Sequence, residues 1–517
     1  MEATDEVAAP RRWATLARPG VIFALAATVR VSALLLSRGG ITRDPGYDQS
    51  VYYAAADSFL HGRMPYRDFV LLHPPGVMLA LTPFAALGRA TTDLTGFAAG
   101  NLAFALLGSL NAALVYLIAR RLGLSTLAAS IGGVFYAVWF GAVYAELTSR
   151  LEPLGSFAFL CGVLALVRAR PERPGRSALL AGVGLGCALS VKAWWLAPLI
   201  VIAIWLACRR GGLRRAGAYL GGVALALVVV DGPFFAMAPS QMFHMVGLDQ
   251  LGRNAFVART TRLGWMSTLE AVQPLHGRAL LAAAALFVVV LGGVCLAAWQ
   301  FRPARLFVVL AVLQAFVLVA APPFFHFYVE YLAASFAIVV AAAAHARGSP
   351  AWVRVRRGIL MAVVAGAACV TILGSLARPV SFINPFPADA LADDLPASRC
   401  VMALSPLALI ELDALTKNLD DGCPQWVDAT GRTYTSLDPA NGKGRRSRAE
   451  NLKWQTDLRN YLFSGNAFVL IGIGKHAFSR ATLAAINRNE LIIRDHGVLL
   501  YEVEHGADKR TDADDRR

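Results

Sequence analysis

Between residues 19 and 377 the chain is a succession of apolar blocks, and at every second junction between blocks stands a cluster of arginines. That rhythm excludes a soluble fold. About 20 apolar residues match the hydrocarbon thickness of a bilayer, and inside it only helices or closed barrels satisfy every backbone amide. The blocks 19–37, 93–119, 125–146, 152–167, 177–194, 195–208, 216–236, 279–299, 304–321, 328–346 and 357–377 give eleven helical spans. Several are short, the 177–208 pair most of all, which kinked helices and local thinning accommodate.

The arginines set the orientation. Arg11, Arg12 and Arg18 precede the first block. Arg120/Arg121, Arg168/Arg170/Arg173/Arg176, Arg209/Arg210/Arg214/Arg215, Arg302/Arg305 and Arg347/Arg354/Arg356/Arg357 fall in phase with them. Basic junctions stay on the cytoplasmic side, so residues 1–18 form a cytoplasmic tail and the C-terminus lies outside. A further apolar piece, 75–88, would throw Arg120/Arg121 out of phase as a span. It reads as an interfacial helix within a first outer loop, 38–92. No small-residue cleavage site follows Leu36, which makes the first block a retained span. A hydrophobic content of 56% and a mean hydropathy of +0.52 agree with a multi-pass membrane protein. The net charge of +15 sits at the junctions, pointing to an anionic leaflet and away from nucleic acid.

From Pro379 the composition turns polar, with strand-like pieces at 400–403, 467–473 and 497–503. Residues 378–506 read as a small extracytoplasmic α/β domain, followed by a disordered tail, 507–517. Cys400 and Cys423 are that domain's cysteine pair. They either form a disulfide around 22 intervening residues or remain two buried thiols; an oxidising compartment favours the bridge.

Charged groups near bilayer depth are costly, so each one on the outer side invites a role. Asp48, beside Tyr47 at the start of an aromatic helix, reads equally as a functional carboxylate or an N-cap. Glu152 precedes Pro153 at the outer end of a span, where a carboxylate suits a helix N-terminus. Lys192 interrupts a long apolar stretch ahead of Trp194 and Trp195, and reads either as a snorkelling side chain or as a functional one. His73 precedes the rigid Pro74-Pro75. His326, Tyr328, Glu330 and Tyr331 cannot all share one helix face, so at least one points into a bundle or a wet cavity, and a His326/Glu330 pair is read as functional. Arg253, Arg259 and Arg262, in the outer loop 237–278, read as a solvated face. No metal-ligand spacing, phosphate-cradling glycine loop or nucleophile elbow is present.

The stretch GYDQSVYYAAADSFLHGRMPYRDFVLLHPPG, residues 46–76, resembles the first outer loop of GT-C superfamily membrane glycosyltransferases. The likeness is to the dolichyl-phosphate-mannose protein mannosyltransferases (glycosyltransferase family 39) and their bacterial relatives. Asp48 stands at the family's catalytic Asp, His73-Pro74-Pro75 at its His/Lys-Pro-Pro element, and Arg150-Leu-Glu152-Pro153-Leu154 at the acidic element of its second outer loop. GLGCALSVKAWW, residues 184–195, is similar to the glycine-rich span ending in a lysine that faces lipid phosphate, here Lys192.

The resemblance implies a GT-C fold of about eleven transmembrane helices and an inverting transfer of a sugar, mannose by default, from a polyprenyl-phosphate donor to an acceptor hydroxyl outside the cytoplasm. In that reading Asp48 is catalytic, and Lys192 and Arg150 bind phosphate. Glu152, Tyr47, His73, His326 and Glu330 position donor or acceptor, which is a glycan, a lipid or a protein. Arabinofuranosyl transfer to cell-wall glycan and non-enzymatic transport of a lipid-linked sugar are the alternatives, and a bacterial plasma membrane is the implied location. Gln49 stands where the family has Glu. That weakens any role needing a second carboxylate there, so no cofactor is assigned and a divalent metal stays open.

Overall fold

The computed structural model describes residues 12–36, 47–168, 174–209, 211–251, 253, 257–345, 350–377, 386–395, 400–433, 448–471, 477–495 and 497–503; residues 1–11 and the tail 507–517 lie outside them. Each of the eleven apolar blocks carries a helix. They are Arg12–Leu36, Asp93–Arg121, the pair Thr126–Val138 and Phe140–Glu146, Leu151–Val167, Pro174–Leu189, Leu196–Ala207, Gly212–Val230, Gly277–Trp299, Arg305–Ala320, Glu330–His345 and Pro350–Ala377. Among the described residues seven helices are long and apolar enough to cross a bilayer, eight with the bent pair. Leu151–Val167, Pro174–Leu189 and Leu196–Ala207, at 17, 16 and 12 residues, are shorter. The chain is thus a helical multi-pass membrane protein with a small C-terminal sheet.

Two compact units cut across this order. The first comprises residues 1–36, 102–230 and 255–378. The Glu330–His345 helix is buried all round through Ala344, as expected of a central helix that is apolar on every face. Glycines let its neighbours approach closely. A Cβ on Gly182 would lie 1.9 Å from the Tyr219 carbonyl oxygen, and one on Gly184 would lie 2.6 Å from the Cα of Gly162. Gly182 and Gly184 therefore dock Pro174–Leu189 against Gly212–Val230 on one side and Leu151–Val167 on the other, a small-residue packing typical of membrane helices.

The 52° bend between Thr126–Val138 and Phe140–Glu146 frees two carbonyls, and side chains take them up. Arg30 Nη1 donates to the Ala137 oxygen at 3.0 Å and Thr371 Oγ1 to the Val138 oxygen at 2.6 Å. A kinked helix at membrane depth needs such substitutes.

The second unit comprises residues 37–101, 231–254 and 379–517, so the polar interval after the first span shares a compact unit with the C-terminal segment. Its helices Asp48–Leu60 and Gly76–Ala90 lie against each other, Gly76–Ala90 falling where an interfacial helix was expected. Asp93 joins the two ends of the chain: its carboxylate accepts from Leu415 N at 2.9 Å, Thr416 N at 3.1 Å and Thr416 Oγ1 at 2.6 Å. It thereby caps the Leu415–Asp420 helix from a distant part of the sequence.

The sheet contains β1 (Val401–Ala403), β2 (Ala467–Ile471), β3 (Glu490–Asp495) and β4 (Val498–Glu502) in the order β1-β2-β4-β3. β1 and β2 are parallel; the other pairings are antiparallel. β3 was not expected from the sequence. It is an edge strand whose short apolar run Leu491–Ile493 is flanked by Glu490 on one side and by Arg494 and Asp495 on the other. Cys400 and Cys423 are joined by a disulfide with a Cα–Cα distance of 5.7 Å, tying the start of β1 to the segment leading to Asp428.

Candidate active site

Asp48 is the first residue of the Asp48–Leu60 helix. The preceding residue, Tyr47, makes no side-chain cap. Asp48 is partly exposed, and the following Gln49 is fully buried. The start of the helix is held by Ser50 Oγ, which donates to the Tyr47 oxygen at 2.8 Å. From the C-terminal segment, Thr430 N donates to the Tyr47 hydroxyl at 3.3 Å.

Asp428 completes this cluster. Its Oδ1 accepts from Gly431 N at 2.7 Å and Thr430 Oγ1 at 3.2 Å, and it also pairs with the Tyr47 hydroxyl. Burial, with the charge of Asp48 nearby, holds the Asp428 carboxyl above the usual carboxylate range. Burial likewise raises the Tyr47 phenol, helped by Asp428. Sequence reasoning missed Asp428, which lies 380 positions from Asp48 with no motif around it.

The proline element lies in the same unit. Tyr66, at φ +68°, turns its hydroxyl onto the His73 oxygen at 2.8 Å, and Gln250 Nε2 donates to the Leu72 oxygen at 2.6 Å. The Tyr52 and His73 rings meet edge to face at 6.0 Å.

The cations lie in the other unit. Pro174–Leu189 ends before Lys192, whose extended backbone leads into the short 3-10 helix Ala193–Trp195. Lys192 is 3% exposed, so it does not snorkel. Its Nζ pairs with Glu152 Oε1 at 2.5 Å and lies over the Tyr328 ring at 3.6 Å and the Trp194 ring at 4.0 Å.

Glu152 sits in the first turn of Leu151–Val167, with Arg150 at the preceding position. The Arg150 guanidinium stacks over Phe327 at 3.8 Å, and its Nε donates to Thr148 Oγ1 at 3.1 Å. Among the described residues its Nη1 is buried with no hydrogen-bond partner, and Glu152 Oε2 is buried in the same condition. Both cations thus rest on adjacent rings of one turn, His326–Val329. A guanidinium N–H buried without an acceptor costs free energy unless a ligand supplies one.

Two expectations fail. His326 and Glu330 are not a pair. His326 stacks on Trp265 at 3.9 Å and faces Glu270 Oε2 at 3.5 Å, whereas Glu330 is buried against Tyr136 and Ser156. Residues 326–329 form a 3-10 turn, so positions four apart do not share the face they would in an α-helix.

Arg262 is not solvated. It is 2% exposed and donates to the carbonyls of Val319 at 3.1 Å, Pro322 at 2.8 Å and Ala321. Pro322 and Pro323 have no N–H for the carbonyls four residues before them, so a side chain takes that place. The proline pair after an apolar block was the available signal.

Among the described residues no cluster of three or more His, Cys, Asp or Glu side chains is placed to hold a metal ion.

Residues 94–238, which include Arg150, Glu152 and Lys192 but not Asp48, match the family model described as dolichyl-phosphate-mannose-protein mannosyltransferase. No curated protein sequence matches the chain. ArnT from Cupriavidus metallidurans bound to undecaprenyl phosphate aligns with a TM-score of 0.62 and 15% identity, over 96% of this chain and 99% of that one. The archaeal oligosaccharyltransferase AglB from Archaeoglobus fulgidus, in complex with an inhibitory peptide and a dolichol-phosphate, aligns with a TM-score of 0.56 and 15% identity, over 89% and 69%. At these identities the likeness is one of fold.

Proposed function

From the premise that this chain has the GT-C fold of the membrane glycosyltransferases, we propose that it transfers a sugar from a polyprenyl-phosphate donor to an acceptor hydroxyl. The observation that carries the reading is the pair of buried cations on one aromatic turn: Lys192, held by Glu152, and Arg150, with a buried N–H that no acceptor among the described residues matches. Such a pair suits an anion that forks across two donors, as a phosphate does.

In the reaction, Asp48 accepts the proton of the acceptor hydroxyl while that oxygen attacks the anomeric carbon. The bond from that carbon to the donor phosphate oxygen breaks, and its electron pair leaves on polyprenyl phosphate. Lys192 and Arg150 stabilise the charge that develops there. One displacement inverts the anomeric centre, and a phosphate leaving group needs no second carboxyl acid. Glu152 keeps Lys192 in place. Tyr47, clamped by Thr430 and Asp428, orients the base, and His73 and His326 position donor or acceptor. No step is assigned to a metal.

Mannose, the sugar named in the matching family model, is the proposed donor sugar. A glycan, lipid or protein supplies the hydroxyl. The phase of the arginine clusters supports a site and C-terminal domain on the extracytoplasmic side of a bacterial plasma membrane.

The test is to incubate purified protein with polyprenyl-phosphate mannose and, separately, polyprenyl-phosphate arabinose, and to measure released polyprenyl phosphate. We expect release from the mannose donor by wild type and its loss, by roughly 10²-fold or more, in Asp48→Asn. Release from the arabinose donor alone would move the reading to pentosyl transfer. Consumption of neither donor with any acceptor would overturn it.

A further inference from the structure

Tyr136 stands between two carboxyl groups. Its hydroxyl lies 2.7 Å from Glu146 Oε1 and 2.9 Å from Glu330 Oε1, and both carboxyls are fully buried. A phenol carries one proton and donates it once. At the other contact the proton must come from a carboxyl group.

Arg30 identifies which. Its Nε donates to Glu146 Oε2 at 2.8 Å and a second guanidinium nitrogen contacts the same atom, while Asn111 Nδ2 lies 3.4 Å from Glu146 Oε1. Glu146 is therefore the ionised partner. Among the described residues Glu330 hydrogen-bonds only to hydroxyls, those of Tyr136 and, at 3.1 Å, Ser156. Two carboxylates against one guanidinium would leave a buried charge uncompensated, a state proteins avoid by neutralising one group.

We propose that Glu330 is a neutral carboxylic acid and a positioning residue for the lipid-phosphate site, a role that rests on the reading above. Its Oε1–H donates to Tyr136, whose own proton goes to Glu146 Oε1, and its Oε2 accepts from Ser156. Glu330 directly follows the turn His326–Val329, which carries Phe327 under Arg150 and Tyr328 under Lys192. Ser156 lies one helical turn beyond Glu152 on Leu151–Val167. The neutral acid thus ties the turn beneath both cations to the helix that holds Lys192, without adding a negative charge that would repel phosphate. Gly108 makes room for the cluster, since a Cβ there would lie 2.4 Å from Glu146 Cδ.

The experiment compares full-length wild type, Glu330→Gln and Glu330→Ala in lipid nanodiscs. It measures the infrared carbonyl band of a protonated carboxylic acid and the affinity for undecaprenyl phosphate. Glutamine reproduces one donor and one acceptor without a titratable proton. The expected result is a component of that band in wild type that is missing from Glu330→Gln, affinity within about twofold of wild type in Glu330→Gln, and affinity roughly tenfold weaker in Glu330→Ala, equivalent to about 1.4 kcal/mol. If the alanine variant does not fold, Ser156→Ala replaces it: the band stays and binding weakens. A band unchanged in Glu330→Gln overturns the neutral acid. Equal loss of affinity in the glutamine and alanine variants overturns the positioning role. Failure of wild type itself to bind would sink the phosphate site and with it that role, while the band still decides the protonation state.

Discussion

Replacing Lys192 with methionine keeps the length of the side chain and removes its charge, so it separates two roles that the lysine combines. The ammonium is 3% exposed, 2.5 Å from Glu152 Oε1 and within 4.0 Å of two ring centroids. Removing one partner of a buried ion pair leaves the other charge stranded, at a cost of about 3–5 kcal/mol. A desolvated cation–π contact adds about 2 kcal/mol. Lys192→Met should therefore lower the thermal midpoint in nanodiscs markedly. The double variant Lys192→Met/Glu152→Gln removes both charges and should recover most of that loss, because replacing a buried pair outright is close to neutral. Turnover behaves differently. If the ammonium meets charge that grows on departing polyprenyl phosphate, both variants lose roughly 10²–10³-fold in kcat, the usual cost of removing one such donor. Release of polyprenyl phosphate per unit of folded protein is the assay. A double variant that regains stability and turnover together would show that Lys192 only neutralises Glu152, and the phosphate role would fall.

Other consequences are equally direct. Gly182→Ala places a methyl 1.9 Å from the Tyr219 oxygen, so overpacking of about 1–3 kcal/mol should lower the thermal midpoint; an unchanged midpoint would show that the two helices part freely. Burial above all, with Asp93 adding and Arg89 opposing, lifts the Asp57 carboxyl to about 7. From the ordinary carboxylate range up to that value the folded state keeps a proton the unfolded chain has lost, so stability falls as pH rises through the window and levels off above it. Asp57→Asn should flatten that part of a midpoint-versus-pH curve, and a curve identical to wild type would refute the assignment. Cys400→Ser/Cys423→Ser opens a loop of sequence separation 23 and should cost about 3 kcal/mol, read as a lower midpoint for the sheet; equal midpoints with and without reductant in wild type would contradict it.

The helices of the apolar blocks could be read in advance because most of the blocks are long and the arginines between them keep phase. Where polarity is carried by backbone rather than side chains, the sequence is silent. The bend at Trp139 has no proline to announce it, and its freed carbonyls find Arg30 and Thr371 from far away. Arg262 looks like any loop cation until Pro322 and Pro323 are seen to strand the carbonyls it caps. Lys192 and Glu152 were legible singly, as charges where none should be. Their bond, across 40 positions, was not. Asp428, Asp93 and Arg30 are ordinary residues in ordinary surroundings, and only tertiary packing gives them partners.

The second unit joins segments far apart in the chain, through hydrogen bonds that span 320 residues at Asp93 and 383 at Tyr47. At a synthesis rate of about 5–20 residues per second, Tyr47 waits roughly 20–80 s after leaving the ribosome before Thr430 exists. Throughout that interval the helix bearing Asp48 lacks its clamp, although most of the apolar helices that follow it have already been made. Maturation of this unit is tied to a segment translated long after Tyr47, and a product stalled before Thr430 would lack that clamp.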